Sequence, residues 1–376
     1  MGVPRRRTAG ALLLVLLVLV AAGACGSAAQ GPPGPSPQAA GPPGALAYRI
    51  VEELSGDIGP RVAGTPAERA AQATIVSELR DSGYAPVVQP FTRLHYKSGK
   101  TVSSANVVAV KPSSTADEIV LGAHYDSVAV GTGALDNATG VGLALELARR
   151  LRDVATPCTV RFIFFGGEEA GLLGSQEVVE TMSAGQRAAT RVLIDLDSVA
   201  GGDKLYVYGR PGDSWPRDAL LTWARRLHVP LRASRLADKL FAVDPRTIEA
   251  SGFGAASDGS VFHLAGLPYA GIESAALDVG SGKDVGKLNT RKEGRIWNTA
   301  RDTLPHLERL YPGRVEAQLR ELVLVLRAFL TGAAEQTTGR GLPVFRRSEW
   351  PGRAPHGAAA ARGSGTPVTL LERVSE

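Results

Sequence analysis

From residue 160 to 165 the chain reads VRFIFF, a near-continuous apolar run of the kind that forms a strand covered on both faces. It stops at Gly166 and Gly167, and two adjacent acids, Glu168 and Glu169, follow at once. Four further runs have strand character, at residues 105–110, 118–122, 191–196 and 204–208. Thr65-Pro66-Ala67-Glu68 predicts a capping box with proline in the first turn, opening a helix that runs to about residue 79. Residues 137–151 predict an amphipathic helix. Its GVGLALELARRL places small residues early, where close packing needs them, and Arg149 and Arg150 in the last turn, where they suit the helix dipole. Residues 314–330 predict a second strong helix that closes the domain. Strands alternating with helices indicate an α/β fold, a three-layer sandwich with a mostly parallel central sheet flanked by helices.

The flanks lack this patterning. Arg5, Arg6 and Arg7 precede an apolar run from 11 to 22, shorter than the roughly 20 residues that span a bilayer. Ala22-Gly23-Ala24-Cys25 ends it and resembles a bacterial lipobox, in which the cysteine becomes the lipidated first residue. The predicted organisation is a lipoprotein-type signal peptide at 1–24, a Gly/Pro-rich linker at 25–44, one catalytic domain at 45–331 and a low-complexity tail at 332–376. Lipid on Cys25 would hold the protein at the outer face of the cell membrane, and an ordinary signal cut at the same place would secrete it. With two cysteines in the chain and Cys25 lipidated, Cys158 has no partner and no disulfide is predicted.

The bulk composition adds two limits. A length of 376 residues at 44% hydrophobic content suffices for a full core. Of the net charge of +5, three units belong to Arg5–Arg7, and no basic stripe interleaves with aromatics, which argues against nucleic-acid binding.

In open α/β sheets, sites form outside the carboxyl ends of the strands. His124 and Asp126 stand just past the run at 118–122, Asp136 precedes a helix start, and Asp195 and Asp197 lie two apart at the end of 191–196. With Glu168 and Glu169 these make one histidine and several carboxylates converging on one edge. Acids so clustered tolerate one another best around a polyvalent cation, and the histidine favours zinc or a related transition metal. Taken singly each has a plainer reading: Asp136 could cap the following helix, and the glutamate pair could be an exposed loop.

Together, GPRVAGTPAE at 59–68, ANVVAV at 105–110, AHYDS at 123–127, GALDNATG at 133–140 and FFGGEEAGLLGS at 164–175 resemble the co-catalytic zinc aminopeptidase family. That family includes secreted bacterial leucine-type aminopeptidases and has glutaminyl cyclases as relatives. The resemblance covers residues 46–330 and implies a zinc-exopeptidase fold acting on peptide substrates. It makes His124 and Asp197 ligands of a first metal, Asp136 the bridging carboxylate and Glu169 a ligand of a second metal. It makes Glu168 the general base and Asp126 the residue that orients His124. The last-ligand segment departs from the pattern. In IWNTARDTL, Thr299, Asp302 and Thr303 match, but Trp297 replaces a tyrosine and Asn298 stands where the family's last histidine ligand belongs. Gly259 in SDGSVFHLAGLP also replaces a family histidine. The resemblance therefore implies one complete zinc site and a second lacking its imidazole, unless His263 or His306 substitutes. Three functions stay open: an exported aminopeptidase, a non-hydrolytic lipoprotein that binds peptides or a partner, and a glutaminyl-cyclase-like acyltransferase.

Overall fold

The structure is a computed structural model that describes residues 41–95, 99–209, 214–234, 257–279 and 288–332. The signal segment, Cys25, the linker up to residue 40 and the tail beyond 332 lie outside the described residues.

The sheet has eight strands: β1 Val87–Leu94, β2 Thr101–Lys111, β3 Glu118–His124, β4 Thr159–Phe165, β5 Thr190–Leu196, β6 Lys204–Gly209, β7 Arg232–Ala233 and β8 Tyr269–Ala275. They run in the order β1-β2-β4-β3-β5-β8-β6-β7. The four central strands are mutually parallel, while β2 and β6 join that centre antiparallel. Strands enclosed on both faces read as apolar runs, and every residue of β3 is buried. β1 was not anticipated. As an edge strand it exposes most of its residues and carries Pro90, so it lacks the apolar signature. β8 was missed as well, because YAGIESA interrupts its apolar positions with Gly271, Glu273 and Ser274.

One face is covered by α1 Ala45–Glu52, α2 Pro66–Asp81, α3 Thr139–Leu151, α6 Trp215–Arg226 and α9 Arg314–Thr331, which share the main core. The other face carries α4 Leu173–Thr181 and α7 Asp258–Leu264, packed on a second cluster around Phe165, Phe262 and Tyr269. Two short helices, α5 Ala184–Ala189 and α8 Leu304–Leu310, complete the set. The result is the three-layer α/β sandwich read from the sequence.

Two local predictions need correction. Thr65 caps α2 through Glu68 N–H, but the Glu68 carboxylate turns away from Thr65 and accepts instead from Gly64 N–H at 2.6 Å and Ser104 Oγ at 2.5 Å. The helix expected from residue 137 starts at Thr139, after a wide turn over Ala134–Ala138. Asp136 lies in that turn and does not cap α3, whose cap position is Ala138. The small residues at the start of α3 serve the packing foreseen for them. A Cβ on Gly140 would lie 2.3 Å from the Leu196 carbonyl oxygen, so only glycine lets the helix sit this close to β5.

Chain order makes β3 the turning point of the sheet: from β3 the chain moves to β4 on one side, then returns to β5 on the other. The carboxyl ends of β3, β4, β5 and β8 open on one edge beside that switch, where such folds place their sites.

Candidate metal centre

His124 is the last residue of β3 and is buried. Its Nδ1 faces the Asp126 carbonyl oxygen at 3.2 Å, which leaves Nε2 pointing outward. Nε2 lies 3.1 Å from Asp136 Oδ1 and 3.6 Å from Asp197 Oδ1. The donor atoms of His124, Asp136 and Asp197 all fall within 4.8 Å of one another.

Each carboxylate is fixed by its own loop. Asp136 follows from a turn pinned by Asp302, whose Oδ1 accepts from Leu135 N–H at 2.6 Å and whose Oδ2 accepts from Asp136 N–H at 3.2 Å. Asn137 anchors the other side, donating to the Leu196 carbonyl at 2.7 Å and accepting from Gly140 N–H at 3.0 Å. Asp197 stands one residue past β5, and its Oδ1 accepts from Ser198 Oγ at 3.2 Å. Asp195, two residues earlier, stays out of the ligand cluster. Its Oδ2 takes Ser257 Oγ at 2.6 Å and Gly259 N–H at 2.8 Å, and so seats the start of α7.

Asp126 is fully buried, and its carboxylate serves the glutamate pair more than the imidazole. Oδ1 accepts from Glu168 N–H at 2.9 Å and Oδ2 from Glu169 N–H at 3.1 Å. The contact that sets the His124 ring is the Asp126 backbone carbonyl, while its carboxylate lies 3.7 Å from Nδ1. The hydrogen-bond contact between Asp126 and the imidazole is thus made by the main chain, while the side chain holds the glutamate loop.

Asn298 reaches the site. It sits at φ +56°, a left-handed conformation that asparagine adopts more readily than most residues. Its Nδ2 donates to Glu169 Oε2 at 3.3 Å. Glu169 Oε1 and Asn298 Oδ1 are both shut off from solvent with no hydrogen-bond partner. An unmet buried acceptor costs about 1–3 kcal/mol, and a cation is one partner that could satisfy both oxygens. Neither suggested substitute histidine enters. His306 Nε2 is taken by Glu293 Oε2 at 2.6 Å, and His263 packs toward the Tyr269 ring, centroid to centroid 6.0 Å. Gly259 cannot carry a side chain here, because a Cβ would meet the Tyr269 ring at 2.6 Å and Asp195 Oδ2 at 2.9 Å.

The electrostatics are those of closely packed acids around one imidazole. Burial first, then like charges, hold Glu168 and Glu169 well above the usual carboxylate range; Asp136 is the strongest charge acting on Glu169. Burial and the neighbouring Asp197 raise Asp136. Burial works against a charged His124, but Glu168 and the contacts to Asp126, Asp136 and Asp197 outweigh it and lift the imidazole well above its ordinary value. Asp197 is the exception: burial would raise it, yet His124 brings it below the usual value. One imidazole and two carboxylates suit zinc, which lowers the cost of their closeness. The donors at Glu169 and Asn298 are oxygens only.

Several residues at this site carry no signal that sequence reasoning used. Arg61 is completely buried, and its guanidinium donates to the backbone carbonyls of Leu54, Gly59, Tyr125, Thr132 and Gly133. Burial lowers it to about 10, while Asp302, Asp126, Asp136 and Glu169 act to keep it charged. Asn289 accepts from the N–H groups of Ile296 at 2.7 Å and Trp297 at 3.1 Å, setting the loop that delivers Asn298. Glu273 follows Ile272 on β8 and so faces away from the main core, on the side of Asp197. Burial, then Asp197 and Asp136, push it up to about 8.

Known proteins share this arrangement of sequence and fold. The profile of peptidase family M28 matches residues 106–323. The chain is 28% identical over 299 residues to the alkaline phosphatase isozyme conversion protein of Escherichia coli, a match covering 71% of this chain and 84% of that one. It is 32% identical over 185 residues to the Mycobacterium tuberculosis protein named "Probable lipoprotein aminopeptidase LpqL", covering 48% of this chain and only 36% of that protein. A zinc aminopeptidase of Bacillus subtilis superposes with a TM-score of 0.61 at 19% identity, over 78% of this chain and 95% of that one. A glutaminyl cyclase of Tannerella forsythia gives a TM-score of 0.58, also at 19% identity, over 77% and 99%. Likeness of fold therefore does not separate hydrolysis from cyclisation.

Proposed function

As the chain belongs to peptidase family M28 and is a metallopeptidase, we propose that it is an exported, zinc-dependent aminopeptidase that removes N-terminal residues from peptides. The carrying observation is the meeting of His124, Asp136 and Asp197 donor atoms within 4.8 Å beside the Asp126-held glutamate pair.

His124, Asp136 and Asp197 would hold the first zinc, with Asp136 shared toward a second position that Glu169 and Asn298 complete. Bound zinc supplies a water of lowered pKa and a polarised scissile carbonyl. Glu168 takes the proton from the attacking water and delivers it to the leaving amine. For that role Glu168 must be ionised, and a cation held by the adjacent donors would oppose the burial and the like charges that raise its carboxyl. Asp126 fixes where Glu168 stands by holding its N–H. Asn298 offers a neutral amide where the family has an imidazole, which weakens the second position for zinc.

The glutaminyl-cyclase-like reading has less support, since Asp197 supplies the first site with a second carboxylate. A non-hydrolytic binding role would leave Glu168 without a purpose. Attachment to the membrane through Cys25 belongs to this proposal as well; among the described residues no helix is long and apolar enough to cross a membrane. The test is Glu168→Gln assayed on amino-acid anilides with zinc content measured in parallel. Turnover should vanish with zinc retained, and an active variant would remove Glu168 from the mechanism.

A further inference from the structure

We propose that the second metal position, formed by Asp136, Glu169 and Asn298, is an oxygen-only site that takes a hard divalent cation of the manganese class rather than a second zinc. This rests on the reading of the centre as a two-metal peptidase site and changes only which ions fill it.

Glu169 and Asn298 are already in contact, Oε2 to Nδ2 at 3.3 Å, and the other oxygen of each, Glu169 Oε1 and Asn298 Oδ1, is buried without a partner. Neither oxygen receives a donor from the protein, and a cation is a partner that would satisfy both. Asp126 holds Glu169 N–H at 3.1 Å and lies 3.7 Å from the His124 ring, whose Nε2 is 3.1 Å from Asp136, so the two carboxylates share one neighbourhood. No nitrogen joins them. Among the described residues the one cluster of three possible ligands contains His124, whose Nε2 faces Asp136 and Asp197 on the first position. His306 is occupied by Glu293, and the space beside Gly259 is filled by Tyr269.

Donor chemistry then decides the metal. Imidazole and thiolate favour zinc, whereas carboxylate, carbonyl and water favour magnesium, manganese and calcium. Three side chains fall well short of the roughly 6–8 oxygens that calcium gathers, while magnesium and manganese complete an octahedron with water. Replacing the family's imidazole by an amide thus divides the centre into a nitrogen-bearing zinc position and an oxygen-only position.

Asn298→His is a fair test because histidine, like asparagine, is among the residues that enter the left-handed region Asn298 occupies. The full chain is stripped of metal, given one equivalent of zinc, and titrated with manganese. Bound manganese is followed by electron paramagnetic resonance, and both metals are counted per chain after gel filtration. The wild type should hold one zinc and one manganese. Asn298→His should hold two zinc ions and release manganese, a shift in preference of about 10-fold or more. Two zinc ions retained by the wild type in excess manganese would overturn the proposal, as would one zinc with no manganese bound. Zinc absent from both positions would overturn the peptidase reading itself, and this one with it.

Discussion

Asp126 accepts the backbone N–H of Glu168 at 2.9 Å, so the loop carrying the candidate base is clamped by the segment that follows His124. The same carboxylate holds Glu169 N–H at 3.1 Å, and its own backbone carbonyl sets the imidazole. One buried residue thus registers three candidate functional side chains. Asp126→Asn would turn an amide NH2 against one of the two N–H groups. Activity should fall about 10–100-fold, mostly in kcat, because the base moves while the pocket for substrate stays. Unchanged kcat would show that the clamp is only structural.

Asp136→Asn should act differently from Glu168→Gln. Asp136 is the carboxylate common to both proposed metal positions, and its Oδ1 lies 3.1 Å from the His124 ring. The amide has no charge to offset a cation, so zinc content should drop along with activity. Equal zinc content in the two variants would mean that ligand and base have been assigned to the wrong residues.

How much of this was legible in the sequence follows from how each residue works. β3, β4 and β5 lie in the buried centre of the sheet and announce themselves as apolar runs, and His124, Glu168 and Asp197 sit at or just past their carboxyl ends. β1 shows its exposed edge and β8 interrupts its apolar positions with Gly271, Glu273 and Ser274, so neither has such a signature. Arg61 acts on backbone carbonyls from three separate stretches of chain, and no local pattern encodes that. Its presence inside GPRVAGTPAE was visible; its task was not. Glu273 likewise reaches Asp197 only because β8 pairs with β5, a long-range pairing that periodicity cannot supply.

Arg61 is the fold's own cation beneath the acid cluster. Arg61→Met would strip donors from five backbone carbonyls and leave Asp302 and Asp136 without their nearby positive charge. The loss should be on the order of 3–5 kcal/mol in urea unfolding. Zinc should recover part of it, since the ion offsets the same carboxylates. Arg61→Lys keeps the charge but has only a single ammonium to reach carbonyls that the planar fork spans, so it should fall between the two. A loss below about 1 kcal/mol for Arg61→Met would count against a structural role.

The lipid proposal stands apart from the described residues and is tested separately. Cys25→Ser should release the protein from the membrane fraction or block its processing, since a lipidated cysteine is the attachment. Unchanged fractionation would show that Cys25 is incidental and that export uses an ordinary signal.

Glu68 gives the molecule a pH dependence of its own, apart from any bound metal. Burial raises its carboxyl from 4.5 to about 7, although the hydrogen bonds from Ser104 and Gly64 pull the other way. The folded chain therefore holds a proton that the unfolded chain releases near its ordinary value. Linkage gives the sign: this contribution is fully present below about 4.5 and is lost as pH rises towards 7, with no further loss beyond. Glu68→Gln removes the titration and keeps the contacts to Gly64 and Ser104, the amide oxygen accepting from Gly64 N–H and the amide nitrogen donating to Ser104 Oγ. Melting temperatures of metal-free wild type and variant should therefore converge at acid pH and separate in favour of the variant up to about pH 7. Parallel curves across that window would mean that Glu68 is ionised in the fold, and that its buried hydrogen bonds suffice to hold the charge.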